Sequence, residues 1–386
     1  MASDELSDPP RSPAQDLLFW WRDTLLQSYS QILFSRSAAV GALLLLATAL
    51  EPRVGLAGFL SVALATVVAL GFRFGDESIR AGLFGYNALL VGVGAAALLP
   101  PTPISAGLTA VGVLTVVLAA SASQAALGPV INLTSLTLPV LVVFYLLLGA
   151  APIFGQDLAL GASPGLIPDK ALPEGVSSYL RSLGAIFFLP RVDVGLVVLA
   201  AILVYSRIAF LLSLLGYFIA WVVVAVLLDG TTGFLPLVVG YNFILVAIAL
   251  GGVWFVPSVS SFIIAAIGTW VSGLVAVGLL ALLAPRGIPL LILPFNATVL
   301  LMLYAMRQRI RDQKPKSVDF VPGTPEQNLN YFRTRLARFG ARHWIRLRAP
   351  FLGSWTCTQG VSGEISHRGM WRHAYDFEVS DETGSR

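Results

Sequence analysis

Charge is what this 386-residue chain has least of. Asp, Glu, Lys and Arg together make up 12% of it, about half the share of a soluble domain. None of the four occurs in residues 81–156, 208–228, 230–285 or 287–306. Cysteine is almost missing as well. Cys357 is the only one and lies in a polar tail, which excludes disulfides and cysteine-based metal centres from the apolar part. All three histidines, His343, His367 and His373, lie in that tail too. An interior almost free of acids and without histidines argues against a proton relay, an acidic ring for a cation channel and paired histidines for an ammonium-type pore. The expectation is a non-enzyme with no cofactor, no metal in the membrane part and no nucleic-acid partner.

What is present is apolar surface, 56% of all residues. The uncharged runs far exceed the ~20 residues that cross a bilayer as a helix, so each long one must hold several spans. The fold class is therefore an all-α polytopic membrane protein, since a membrane β-barrel would alternate apolar and polar residues in short segments. Residues 1–15 are polar, rich in Ser, Pro and acids, and carry no signal-peptide pattern, so they read as a disordered lead. Residues 16–30, with Trp20, Trp21 and Arg22, read as an amphipathic helix at the lipid interface.

The apolar part is a duplication. Gly85-Tyr86-Asn87-x-x-Leu90-Val91 returns 155 residues later as Gly240-Tyr241-Asn242-x-x-Leu245-Val246. Leu138-Pro139 returns at the same offset as Leu293-Pro294, and Gln31-x-x-Phe34 with Gly41 returns, offset by 154, as Ala185-x-x-Phe188 with Gly195. Five spans are expected per copy, with breaks at Glu51-Pro52-Arg53 and Pro100-Pro101-Thr102-Pro103, and a helix over 129–151 broken or kinked by Pro139. A short apolar piece before each Gly-Tyr-Asn, the second at 229–239, is expected to be a re-entrant half-helix, tolerable only where it is buried or lines a cavity. An odd number of spans inverts the second copy relative to the first, so function is expected where the copies meet.

The chain then divides into a lead and interfacial helix (1–30), a first repeat (31–151), a linker (152–182), a second repeat (183–306), a basic linker (307–346) and a tail (347–386). Arg307, Arg309, Arg311, Lys314 and Lys316 against Asp312 alone place the C-terminus in the cytoplasm by the positive-inside rule. Ten spans put the N-terminus there too. The basic stretch 328–348 suits anionic headgroups or a solvated linker equally. An uncharged interior favours passage of a small uncharged polar molecule along hydroxyls, amides and backbone carbonyls.

The paired Gly-Tyr-Asn-x-x-Leu-Val motifs, Leu293-Pro294-Phe295-Asn296, Ala249-Leu250-Gly251-Gly252 and Ser206-Arg207 resemble the urea transporter family over about residues 28–307. That resemblance implies a homotrimer in the bacterial inner membrane. Each protomer would carry a passive pore through which urea, or a similar small neutral amide, slides between apolar walls along a ladder of oxygens. Carried over, it assigns Gln31 to a mouth and Phe34, Tyr86 and Leu90 to the slot walls. It makes Thr137 a hydroxyl near the constriction, and Phe188, Tyr241 and Leu245 the second copy's walls. Asn87, Asn242, Pro139 and Pro294 are pore-supporting. Ala185 and Ile292 stand where the family pattern has polar residues, and Val140 where it has Phe, so one half of the ladder is left with backbone carbonyls. Local readings stay open: the asparagines tying a helix, Thr137 bonding its own helix, Gln31 lying at the interface.

The tail motifs Ser366-His367-Arg368-Gly369 and His373-Ala374-Tyr375-Asp376-Phe377 resemble the opening of a lysostaphin-like (LytM-type) zinc peptidase. His367 and Asp376 are its vestigial metal candidates. Arg372 interrupts the family spacing and no His-x-His follows, so two ligands are too few for a catalytic zinc and a cytoplasmic tail faces away from peptidoglycan. The alternative reading of the whole chain is a membrane anchor or sensor for that peptidase domain.

Overall fold

A computed structural model describes residues 13–131, 136–157, 164–227, 240–309, 314–318, 323–340, 355–367 and 369–378. Within them the chain is mostly helical. The first copy holds α1 (Pro13–Ser30), α2 (Ala38–Ala49), α3 (Pro52–Gly71), α4 (Asp76–Arg80), α5 (Gly85–Leu98), α6 (Pro103–Ile131) and α7 (Leu138–Ala150). The second holds α8 (Glu174–Gly184), α9 (Val192–Tyr205), α10 (Arg207–Leu227), α11 (Tyr241–Ile248), α12 (Val259–Leu283) and α13 (Leu293–Met306). A polar helix α14 (Pro325–Phe339) and a hairpin of β1 (Thr356–Gln359) with β2 (Asp376–Glu378) follow. The short piece expected over 229–239 lies outside the described residues.

Neither first span of a copy is the continuous helix expected. α1 ends in a 3-10 turn, Gln31–Leu33, and Phe34 takes left-handed backbone angles (φ 59°, ψ 20°) before α2 departs at 82°. α8 ends in the turn Ala185–Phe187, Phe188 is left-handed (φ 59°, ψ 19°), and α9 departs at 81°. Both stops have the same bonds: Ser35 N–H to Ser30 O with Phe34 N–H to Gln31 O, and Leu189 N–H to Gly184 O with Phe188 N–H to Ala185 O. This is the Schellman ending that usually recruits glycine for the left-handed position. Glycine is needed seven residues further on, for contact instead. A Cβ on Gly41 would sit 2.1 Å from Leu26 O, and one on Gly195 2.0 Å from Leu180 O, so each bent pair closes backbone to side-chain-free backbone.

The matching bent pairs thus start at α1 and α8, upstream of residues 31 and 183. α1 belongs to the bundle: Thr24, Ser28, Tyr29 and Ser30 are buried, and Trp20 Nε1 donates to Asp76 Oδ1 at 3.0 Å. α8 begins within the stretch expected to be linker.

Two further expectations are corrected. α6 runs through Pro129 to Ile131, so no new helix starts at Pro129. Pro139 and Pro294 do not kink a helix; each occupies the first turn of α7 and α13, where a missing N–H costs nothing. The residue two before each helix, Leu136 (φ 47°) or Leu291 (φ 50°), is left-handed, which turns the chain into it.

Among the described residues, length and composition give four helices able to cross a membrane, or up to six if each bent pair is one span, plus four shorter apolar helices. The 14 residues of α5 extend about 21 Å at 1.5 Å per residue, short of a ~30 Å hydrocarbon core. In the packing, α3 lies along α5 and α10 along α11, and α2 against α9 joins the copies. That joint carries a buried ion cluster. Arg191 holds Asp193 through two bonds (Nε–Oδ1 3.1 Å, Nη2–Oδ2 2.6 Å) and reaches across to Glu51 Oε2 at 3.0 Å. Asp193 also accepts from the N–H groups of Leu166 and Val194.

Candidate functional site

The left-handed residues explain where the site lies. Phe34 and Leu136 line one cavity, and Phe188 and Leu291 line a second. A bulky residue with positive φ is strained by about 1–3 kcal/mol, and such strain gathers where the surrounding structure holds side chains to a task. Here it places four apolar residues in the walls of two cavities between the copies.

The larger cavity holds about 340 Å³. It brings together Gln31, Phe34, Tyr86, Leu90 and Thr137 of the first copy with Leu245 of the second. Each polar member has a fixed partner. Gln31 Nε2 donates to Ala81 O (3.0 Å), anchoring the amide at the wall, and the Tyr86 hydroxyl donates to Leu136 O. Among the described residues the Thr137 hydroxyl is tied to the other copy, not to its own helix. Its Oγ1 accepts from Asn296 Nδ2 at 2.7 Å and its N–H donates to Asn296 Oδ1 at 3.1 Å, so a second-copy side chain orients a first-copy hydroxyl. Arg36 and Glu77 are the charged residues of the lining.

The smaller cavity holds about 30 Å³, room for a water or two. Phe188 and Tyr241 line it, with Ala185 and Val140, and Phe144 stacks on Phe188 at 5.4 Å. Ala185, Val140 and Ile292 supply no hydroxyl or amide. Ile292 has nearly the backbone of Thr137 (φ −88°, ψ 18° against φ −102°, ψ 21°), and the repeat-equivalent of Asn296 is Leu141, so both partners of the first copy's hydroxyl–amide pair are gone.

The two cavities share Leu90, Ile186 and Ile292. These three form the join; Leu90 and Ile292 were singled out from the sequence, and Ile186 was not. Ile186 occupies the first unspecified place of Ala185-x-x-Phe188, and its counterpart Ile32 also lines the large cavity, so the repeat itself held the signal. Trp254 and Phe295 were missed as well. Phe34 packs edge-on against Trp254 (5.2 Å, 75°) and tilted on Phe295 (6.2 Å). Leu245 lines the large chamber rather than the small one.

Asn87 and Asn242 line neither cavity. Asn242 Nδ2 donates to Leu291 O (3.0 Å) and Oδ1 accepts from Phe295 N–H (3.1 Å), tying α11 to the start of α13. Asn87 Nδ2 bonds Leu83 O within its own segment. Pro139 and Pro294 start the helices behind the cavities.

A sequence model of the urea transporter family matches residues 22–307, which include every lining residue of both cavities. The chain belongs to the urea transporter family. Membership and the apolar helices make it a multi-pass membrane protein, and the activity they support is urea transport across a membrane, a non-enzymatic task. A search of curated proteins finds no match.

The match stops at residue 307 and lends nothing to the peptidase resemblance of the tail. In the tail, His367 and Asp376 do meet, as an ion pair at 3.0 Å (Nε2–Oδ1), with His367 Nδ1 2.7 Å from Gly360 O. Among the described residues no three His, Cys, Asp or Glu side chains gather as a metal site would require. The Gly360 carbonyl and Asp376 raise the imidazole's pKa above its ordinary value; Gln359 and His367 lower that of Asp376. The histidine's contribution is full below its unfolded pKa and fades as pH rises through the folded one. The aspartate's is full above its unfolded pKa and fades as pH falls through the folded one. NMR titration of His367 in the whole protein is expected to give a midpoint above that of a free histidine, and Asp376→Asn is expected to bring it down.

Proposed function

We propose that the chain is a passive urea channel in which solute crosses from the large chamber to the small one, through the join of Leu90, Ile186 and Ile292. The observation that carries this reading is the join itself: two cavities between the copies share three aliphatic side chains and no charge. Aliphatic walls exclude ions because nothing there replaces their hydration, while a flat neutral amide gives up only hydrogen bonds. Four N–H donors need acceptors, and the first copy offers the Thr137 hydroxyl and the Gln31 amide. The second offers the Tyr241 hydroxyl and backbone carbonyls but no counterpart of Thr137 or Gln31, so small, less polar amides fit this half at least as well as urea.

The remaining elements of the proposal follow from the duplication and the family. The two copies are inverted with respect to each other, each protomer of a homotrimer has its own pore, and the membrane is a bacterial inner membrane. The positive flank after Met306 favours cytoplasmic termini. A C-terminal reporter fusion active only in the periplasm would reverse that orientation.

The deciding experiment is stopped-flow urea uptake into proteoliposomes, with and without a proton gradient. Uptake is expected to exceed that of empty vesicles, to be indifferent to the gradient, and to fall at least tenfold in Ile186→Trp, which fills the join. Uptake at the empty-vesicle level would reject urea as the solute. Uptake that collapses with the gradient would reject a channel.

A further inference from the structure

We propose that Trp254 sets the size limit of the wide chamber and that the segment after the last membrane helix holds it there. This rests on the channel reading above and adds to it a specificity-determining wall and the residues that position it.

α11 does not end as an α-helix. It loosens into a π-turn, Ala249–Val253, and π-turns recur at functional sites. Trp254 follows immediately, lines the large chamber and packs edge-on against the strained Phe34. A π-turn at a helix end leaves carbonyls without helical donors, and here the polar segment supplies them. Asn328 Nδ2, on α14, donates to Gly252 O (2.9 Å) and Val253 O (3.2 Å). Pro325 rests on Gly252 so closely that a Cβ there would lie 2.8 Å from its ring.

The same segment brackets Trp254 on the other side. Val256 N–H donates to Lys316 O (2.8 Å) and Val318 N–H to Trp254 O (3.0 Å), a short antiparallel ladder centred on Phe255 and Ser317. Glu326 anchors the far end, its Oε1 accepting from Ser206 Oγ (2.9 Å) and Ile208 N–H (3.0 Å) at the start of α10. A carboxylate is favoured at a helix N-terminus. Trp254 is thus clasped by backbone bonds and by a side chain, all from outside the membrane helices. Asn328 and Glu326 are positioning residues; Trp254 is the wall.

The test compares Trp254→Ala, Asn328→Ala and their double variant in proteoliposomes. The readout is the ratio of 1,3-dimethylurea to urea permeability, which does not depend on how much protein inserts. Trp254→Ala is expected to raise the ratio at least fivefold, Asn328→Ala to raise it in the same direction, and the double variant to match Trp254→Ala alone. An unchanged ratio in Trp254→Ala would remove its role in size selection. Additive effects, or an unchanged ratio in Asn328→Ala alone, would remove the clasp's. Amide exchange reads the clasp without any flux: Val256 and Val318 are expected to exchange at least tenfold faster in Asn328→Ala, and unchanged exchange would refute it. Absence of urea flux in the unaltered protein would instead count against the channel reading, with the exchange result still deciding the clasp.

Discussion

Ile292→Thr is expected to speed urea permeation roughly tenfold. Ile292 sits at the join of the two chambers, on backbone nearly superposable in dihedral terms on that of Thr137, and threonine has almost its shape. The exchange gives the second copy the counterpart of the Thr137 hydroxyl and removes a methylene's bulk from a chamber of about 30 Å³. A hydrogen bond recovered by a desolvated polar solute is worth about 1–3 kcal/mol, and each ~1.4 kcal/mol off a barrier is a factor of ten in rate. The gain should be specific to polar solutes. Urea permeability measured beside that of a less polar amide would show urea rising and the amide nearly flat; equal rises would mean that widening alone was responsible. Ala185→Gln, at the counterpart of Gln31, places an amide on the same wall and is a weaker version of the experiment.

Arg191→Ala is expected to cost about 3–5 kcal/mol of stability. Arg191 and Asp193 are each 5% exposed and Glu51 21% exposed. Removing the cation leaves two carboxylates facing each other where water reaches poorly, and loss of one partner from a buried pair has effects of that size. Glu51 and Arg191 come from different copies, so the damage should fall on the α2–α9 joint. Thermal unfolding in detergent should show the loss, and Arg191→Lys, which keeps charge but not the two-pronged bond to Asp193, should recover only part of it. Unfolding temperatures equal to wild type in Arg191→Ala would mean that the cluster contributes nothing.

Six residues of the cavity linings were legible in the sequence because duplication marked them. Phe34 with Phe188, Tyr86 with Tyr241 and Leu90 with Leu245 recur at near-constant offsets, and all six line a chamber. The bends were not legible. Pro190 hints at one, because it lacks a donor and restricts Leu189, but the first copy reads Ser35-Arg36-Ser37 there and turns just as sharply. A left-handed phenylalanine has no local signature; tertiary packing imposes it. The Glu51–Arg191 bond joins residues 140 apart, and local reading could see only a helix break at one and a flanking charge at the other. Trp254 directly follows the Ala249-Leu250-Gly251-Gly252 stretch used for the family resemblance, yet its place depends on a π-turn and on α14, neither visible as a repeat.

The unequal chambers, about 340 Å³ against 30 Å³, have one more consequence. In a pore without an energy source they cannot make net flux directional, because at equal concentrations the two crossings must balance in detail. They do give the protein two different faces towards molecules too large to cross. A bulky urea derivative entering the wide chamber finds aromatic walls and room to lodge, while the narrow chamber has no such room. Sidedness here belongs to the inhibitor and never to the substrate.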